Sequence, residues 1–191
     1  ESISERFIAK FLEHARTIKV GIGSDPGVDM GPLGSKKRIS AMHEMIADAK
    51  SKGAEVALGG SASEEFSKGY FFQPTVLTNV KGDMVVMTEE TFGPVAPIAT
   101  FSNLEEVIQM ANSTPYGLAG FIFTSDLNSA LQIGLRLEVG MVGINNLTIA
   151  TAEAPFGGVK SSGFGREGGA EGIEEFLITK YINARMGRVK L

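Results

Sequence analysis

The chain has 191 residues, of which 43% are hydrophobic and 21% charged, with a net charge of −4. This is enough for one globular domain with a real core, and the acidic balance does not suggest a nucleic-acid partner. With no cysteine, disulfides and thiolate metal sites are excluded, and no run of 18 apolar residues suggests a membrane span. The cysteine-free composition fits a reducing compartment, so a cytoplasmic location is expected. The chain starts mid-pattern, and a targeting segment upstream remains open.

Ser2 and Glu5 have the spacing of a capping box, and Phe7, Phe11, Ala15 and Ile18 follow helical spacing, which predicts a helix over 4–18. A Gly-, Asp- and Pro-rich loop covers 20–33. Ser35 then caps a helix whose stripe is Ile39, Met42, Ile46 and Ala49, ended by Gly53. A short strand over 54–58 precedes a polar loop over 61–69. An extended segment follows over 71–80, with Pro74 at an edge or strand start. Further on, 95–101 reads as strand, 104–111 as helix, 118–124 as strand, a helix capped by Asp126 follows, and 139–145 reads as strand. This alternation, with near-continuous apolar strands, predicts an α/β fold with three layers: a mostly parallel sheet with helices on both faces and right-handed crossovers. A short helix over 170–177 and a terminal strand over 178–186 complete the chain. The expected division is therefore 1–177 as one domain and 178–191 as an appended strand and tail.

Glu89-Glu90-Thr91-Phe92-Gly93-Pro94 joins two carboxylates to an aromatic ring through a Gly-Pro bend that limits the backbone. Such a turn can turn a carboxylate and a ring toward one cleft, the first for sugar hydroxyls and the second for a flat heterocycle. It can also be an acidic helix end, a core aromatic and a loop break. A second stretch runs from Pro155-Phe156-Gly157-Gly158-Val159-Lys160 through Ser161-Ser162-Gly163-Phe164-Gly165-Arg166-Glu167. A third, Gly140-Met141-Val142-Gly143-Ile144-Asn145, precedes it as a strand. Together, and in this order, the three blocks resemble those of the aldehyde dehydrogenases. The resemblance runs from Glu1 to about Met186 and covers only the C-terminal part of the catalytic domain of that family. It implies that the nucleophilic cysteine, the general-base glutamate and most of the cofactor domain lie outside this chain.

What the resemblance implies can be stated residue by residue. Glu90 binds the nicotinamide ribose hydroxyls of NAD or NADP, and the Phe92 ring packs beside that ribose. Asn145, at a strand end where ligands gather in α/β sheets, braces the active-site loop; a buried Asn there also serves simply to satisfy loop backbone groups. Ile149, Ala150 and Phe156 fall on the tunnel for the aldehyde substrate, although Phe156 reads equally as core. Glu167 relays protons from a partly buried channel, or else supplies a favourable charge at a helix N-terminus. The tail, with Glu171-Gly172-Ile173 and Lys180-Tyr181, is most similar to the succinate-semialdehyde dehydrogenase branch. Ala150 departs from that branch, since many of its members have a serine there to hold the distal carboxylate of the substrate.

In the complete enzyme the implied reaction is thiolate attack on the aldehyde, hydride transfer to the nicotinamide and hydrolysis to a carboxylic acid. Implied partners are the N-terminal remainder of the enzyme and further subunits joined through the C-terminal strand; no membrane partner is expected. Without its nucleophile the chain alone is expected to be inactive. The other reading is a standalone α/β binding or assembly module without redox chemistry. Other motifs fail: Gly163-x-Gly165-x-x-Gly168 has no buried strand before it and no acidic residue about 20 positions later. His43-Glu44 begins a zinc-protease pattern that Ala47 breaks, and no metal site is expected.

Overall fold

The structure, a computed structural model, describes residues 1–185 and 187. It divides into two compact units, Glu1–Pro115 and the remainder from Tyr116.

The first unit begins with α1 (Ser4–Ala15), three residues shorter than expected. Its N-cap is Ile3, without a side-chain cap, so the Ser2–Glu5 box does not form; instead the Ser4 hydroxyl donates to the Glu1 carbonyl at 2.8 Å. Phe7 and Phe11 lie one turn apart along the helix with ring centroids 5.8 Å apart and planes tilted by 35°, and both stay exposed while Ala15 is buried. The next helix, α2 (Lys36–Ser51), buries Met42, Met45, Ile46 and Ala49. These positions recur at the three- and four-residue spacing of one helical face. Ser35 occupies the N-cap position but makes no capping hydrogen bond, and α2 stops before Gly53, where φ is +98°.

Three strands follow, β1 (Glu55–Leu58), β2 (Thr75–Thr78) and, after the short helix α3 (Val85–Thr88), β3 (Val95–Pro97). They form one sheet in sequence order, with β1 antiparallel and β3 parallel to β2. β2 is the inner strand and is buried along its whole length. Pro74, just before it, has no N–H to leave unpaired, which suits a strand start. The buried Thr75 hydroxyl is satisfied: it donates to the Gln73 carbonyl and accepts from Gly60 N–H, both at 2.9 Å. The α2 stripe closes over Phe72, Leu77, Met84, Val86 and Val95 as the core of this unit. The unit ends with α4 (Leu104–Asn112), whose Asn103 side chain accepts from Glu106 N–H while the Glu106 carboxylate accepts from Ser102 N–H.

The second unit pairs β4 (Tyr116–Gly117) with a later strand, and β5 (Ala119–Ile122) leads through α5 (Leu127–Arg136) to a parallel partner, β6 (Met141–Ile144). Asp126 caps α5 as expected, accepting from Asn128 N–H at 3.1 Å and the Ser129 hydroxyl at 2.5 Å. β7 (Val159–Lys160) is the antiparallel partner of β4. The chain is thus α/β with parallel strand pairs, and among the described residues its ladders fall in three short sheets, two of which contain an antiparallel pair.

Several sequence expectations need correction. The segment over 71–80 yields four strand residues and that over 95–101 three. The last short helix is of the 3₁₀ type, over Glu171–Phe176. Within the chain, residues 178–185 form no strand ladder, and the expected partner strand belongs to another subunit; Met186 and residues 188–191 lie outside the described residues. α3, β4 and β7 were not anticipated. Each is two to four residues long, too short to show periodicity.

Candidate active site

In the first unit, α2 holds the Glu89–Pro94 turn along one flank. The Asp48 carboxylate accepts from Val85 N–H at 2.8 Å, fixing the start of α3, and pairs with the Lys52 ammonium at 2.8 Å. The Lys52 hydrogen bond, followed by that from Val85 N–H, holds the Asp48 carboxyl below its ordinary pKa. Lys52 also donates to the Asp83 carbonyl at 2.7 Å. The turn itself begins where Glu89 N–H donates to the Val85 carbonyl at 2.9 Å. Ten residues before Asp48, the Arg38 guanidinium donates through Nη2 to the Thr91 carbonyl.

The far leg of the turn is equally constrained. A Cβ on Gly93 would run into Sδ of Met42, a residue with no exposed surface. Glycine is therefore needed here for close approach rather than for an unusual φ. Val95 N–H donates to the Gly93 carbonyl and Thr75 N–H to the Pro94 carbonyl, both at 2.8 Å. Gly93 and Pro94 also line an apolar cavity of about 290 Å³ with Phe11, Ala15, Ile18 and Met30. Neither Glu90 nor Phe92 lines it.

The two predicted cofactor residues stand together on this clamped turn. Glu90 is exposed, and Phe92 is 73% exposed with φ of +43°. Within this unit Phe92 is not a core residue. A bulky residue in left-handed conformation is unfavourable by about 1–2 kcal/mol, and such strain tends to persist where function holds it. The turn precedes the amino end of β3, so the strand-tip rule for α/β sheets does not account for its place.

The remaining predicted residues belong to the second unit. Asn145 is exposed rather than buried, because it stands just beyond the carboxyl end of β6. Its φ is +51°, a conformation asparagine tolerates better than most residues. Its side chain copies a strand neighbour: Nδ2 donates to the Thr124 carbonyl at 2.8 Å and Oδ1 accepts from Thr124 N–H at 3.0 Å. The Asn145 N–H donates to the Ile122 carbonyl at 2.8 Å. Asn145 thus fastens the chain leaving β6 to the chain leaving β5.

Ile149 is half-buried beside Gly143, and Ala150 is exposed. Phe156 is half-buried, and its main chain exchanges two hydrogen bonds with Glu167, at 2.7 and 2.8 Å. Glu167 is exposed within this unit, and it lies before the 3₁₀ helix rather than at its N-terminus.

Two residues that sequence reasoning passed over organise this unit. Arg166 Nη1 donates to the Gly158 and Gly165 carbonyls at 2.9 and 2.7 Å, tying the glycine-rich stretch to itself. The Ser162 hydroxyl accepts from Gly117 N–H at 3.0 Å, joining that stretch to β4. Both residues were inside a quoted motif, but their partners are carbonyls and amides that no spacing rule identifies. Gly163, Gly165 and Gly168 all have positive φ, and among the described residues no α-helix follows them, unlike a dinucleotide fingerprint.

Comparison with known proteins places this geometry among relatives. The sequence model for the aldehyde dehydrogenase family matches residues 1–182. Succinate-semialdehyde dehydrogenase [NADP(+)] 2 of Schizosaccharomyces pombe is 44% identical over 185 residues, covering 97% of this chain and 37% of that protein. The 3-sulfolactaldehyde dehydrogenase of Pseudomonas putida is also 44% identical, over 182 residues, covering 95% of this chain and 37% of that protein. A crystal structure of betaine aldehyde dehydrogenase from Staphylococcus aureus in complex with NAD+ superposes with a TM-score of 0.90 at 38% identity, covering 98% of this chain and 39% of that one. The chain therefore spans well under half the length of these relatives. With the family matched almost from end to end and the solved fold reproduced, this chain belongs to the aldehyde dehydrogenase family.

Proposed function

We propose that this chain is the C-terminal part of the catalytic lobe of an NAD(P)-dependent aldehyde dehydrogenase that oxidises an aldehyde to a carboxylic acid. The observation that carries the cofactor role is the clamped turn, which holds an exposed carboxylate and an exposed ring two residues apart. The residues fit the group. A carboxylate accepts hydrogen bonds from a vicinal diol, and a ring edge or face packs against a sugar. When bound, the nicotinamide accepts the hydride that leaves the substrate carbon. Glu90 would hold the ribose hydroxyls and Phe92 would limit the freedom of the sugar. Because the turn is already ordered, little conformational entropy is lost on binding.

In the second unit, Asn145 would keep the loop after β6 in register, while Ile149, Ala150 and Phe156 would form substrate walls. Glu167, exposed and fixed through its main chain, would pass a proton through water. Succinate semialdehyde is the substrate we favour from the tail resemblance. The 3-sulfolactaldehyde dehydrogenase at the same identity shows that the substrate named for a relative differs at this distance, and Ala150 has no hydroxyl to grip a distal carboxylate. The cofactor is NAD or NADP, the location cytoplasmic, and the C-terminal strand pairs with another subunit. No helix among the described residues is long and apolar enough to cross a membrane.

The chain by itself would be inactive, having no cysteine to attack the aldehyde. That same absence supports the second reading, a binding module without redox chemistry. The coding sequence upstream of Glu1 separates them: a cysteine-bearing block and a cofactor domain support the enzyme. The direct test is Glu90→Gln in the complete enzyme. Weaker cofactor binding and slower hydride transfer are expected; unchanged values for both would remove Glu90 from the site.

A further inference from the structure

The backbone at Phe92 is unfavourable, so something must select it. Hydrogen bonds at Glu89, Gly93 and Pro94 fix the two legs of the turn but not its apex. The contact on the apex is Arg38 Nη2 to the Thr91 carbonyl. That carbonyl belongs to the peptide plane linking Thr91 to Phe92. Its direction is set jointly by ψ of Thr91 and φ of Phe92. Flipping the plane would move Phe92 out of the left-handed region and would turn the backbone between the carboxylate and the ring. A donor pinned on this oxygen therefore opposes that flip.

Packing does not explain an arginine at this position. Arg38 is half-buried, and its Nε has neither solvent nor an acceptor. A buried guanidinium N–H without a partner is unfavourable, and methionine or leucine would fill similar space without it. What arginine adds is reach and a charge-assisted donor on a carbonyl. Met42, one turn further along α2, also meets this turn, through its sulfur against Gly93.

We propose that Arg38 is a positioning residue: by holding the Thr91 carbonyl it selects the positive φ of Phe92 and keeps Glu90 and Phe92 jointly presented to the nicotinamide ribose. This rests on the reading of Glu90 and Phe92 as cofactor residues. Arg38 itself acts through the backbone and requires no contact with the cofactor.

The test uses the complete enzyme with Arg38→Met, Arg38→Lys, Glu90→Gln and the double variant Arg38→Met/Glu90→Gln. Cofactor Kd is measured by fluorescence titration, and thermal unfolding is followed beside it. Arg38→Met should raise Kd about tenfold, the scale of losing one charge-assisted hydrogen bond. Arg38→Lys, which keeps a cationic donor, should recover most of that loss. The double variant should bind within about twofold of Glu90→Gln alone, since coupled residues are non-additive. Two independent, multiplying losses would overturn the proposal, as would Arg38→Met binding normally while Glu90→Gln binds weakly. Normal binding by Glu90→Gln would overturn both the cofactor reading and this proposal. If Arg38→Met does not fold, Arg38→Gln takes its place under the same criteria.

Discussion

Replacing Phe92 by glycine separates a ring kept for binding from a ring kept for folding. Relief of the left-handed conformation should return about 1–2 kcal/mol. Against this, glycine adds roughly 0.5–1 kcal/mol of unfolded-chain freedom. The ring is 73% exposed, so only about a quarter of the roughly 1.5–3 kcal/mol for full burial is lost, or ~0.4–0.8 kcal/mol. These contributions nearly cancel, and the change in stability should be under about 1 kcal/mol. Phe72, 1% exposed in the core, is the control: Phe72→Ala should cost about 3–5 kcal/mol. Urea unfolding of the complete enzyme compares the two variants, and cofactor titration compares Phe92→Gly with wild type. The expected result is near-normal stability with weakened cofactor binding. Two results would refute the reasoning. A loss above about 2 kcal/mol in Phe92→Gly would make the ring structural, and unaltered cofactor affinity would make it irrelevant to the site.

Gly93→Ala should destabilise by about 1–3 kcal/mol, because the new methyl must displace the buried Met42 thioether; wild-type unfolding midpoints would show that the turn yields instead. Asp48, Glu106 and Asp126 all have lowered pKa values, caused first by the Lys52 hydrogen bond, Ser102 N–H and the Ser129 hydroxyl respectively. Their contributions to stability are present above the unfolded carboxylate values and are lost as pH falls through the folded ones. Denaturation midpoints should therefore decline below the ordinary carboxylate range of about pH 4, and Asp48→Asn should flatten that decline; an unchanged profile in Asp48→Asn would remove Asp48 as a contributor. Ala150→Ser should raise relative kcat/KM for succinate semialdehyde over uncharged aldehydes by about tenfold, the worth of one hydrogen bond to a carboxylate. Identical relative values across aldehydes would rule out position 150 as a carboxylate contact.

Some of this protein was available to reading along the chain alone. The Met42–Ala49 stripe, the Asp126 cap and the β5–α5–β6 alternation are patterns of period or adjacency, and local sequence encodes these directly. Family membership was likewise carried by three short blocks in order. Other expectations failed for physical reasons. Ser2 and Glu5 have the spacing of a cap, but spacing does not oblige the backbone to use it. Sequence singled out Glu90, Phe92 and Asn145 as residue types, yet only tertiary structure showed their states, each within its own unit: Phe92 exposed in left-handed backbone, and Asn145 joined to Thr124. It also supplied what sequence had no means to reveal, the Arg38 bond to a carbonyl 53 residues later and the Met42 sulfur against Gly93. Those partners are backbone atoms and packing surfaces, identical in chemistry at every position, and only folding decides which of them a side chain meets.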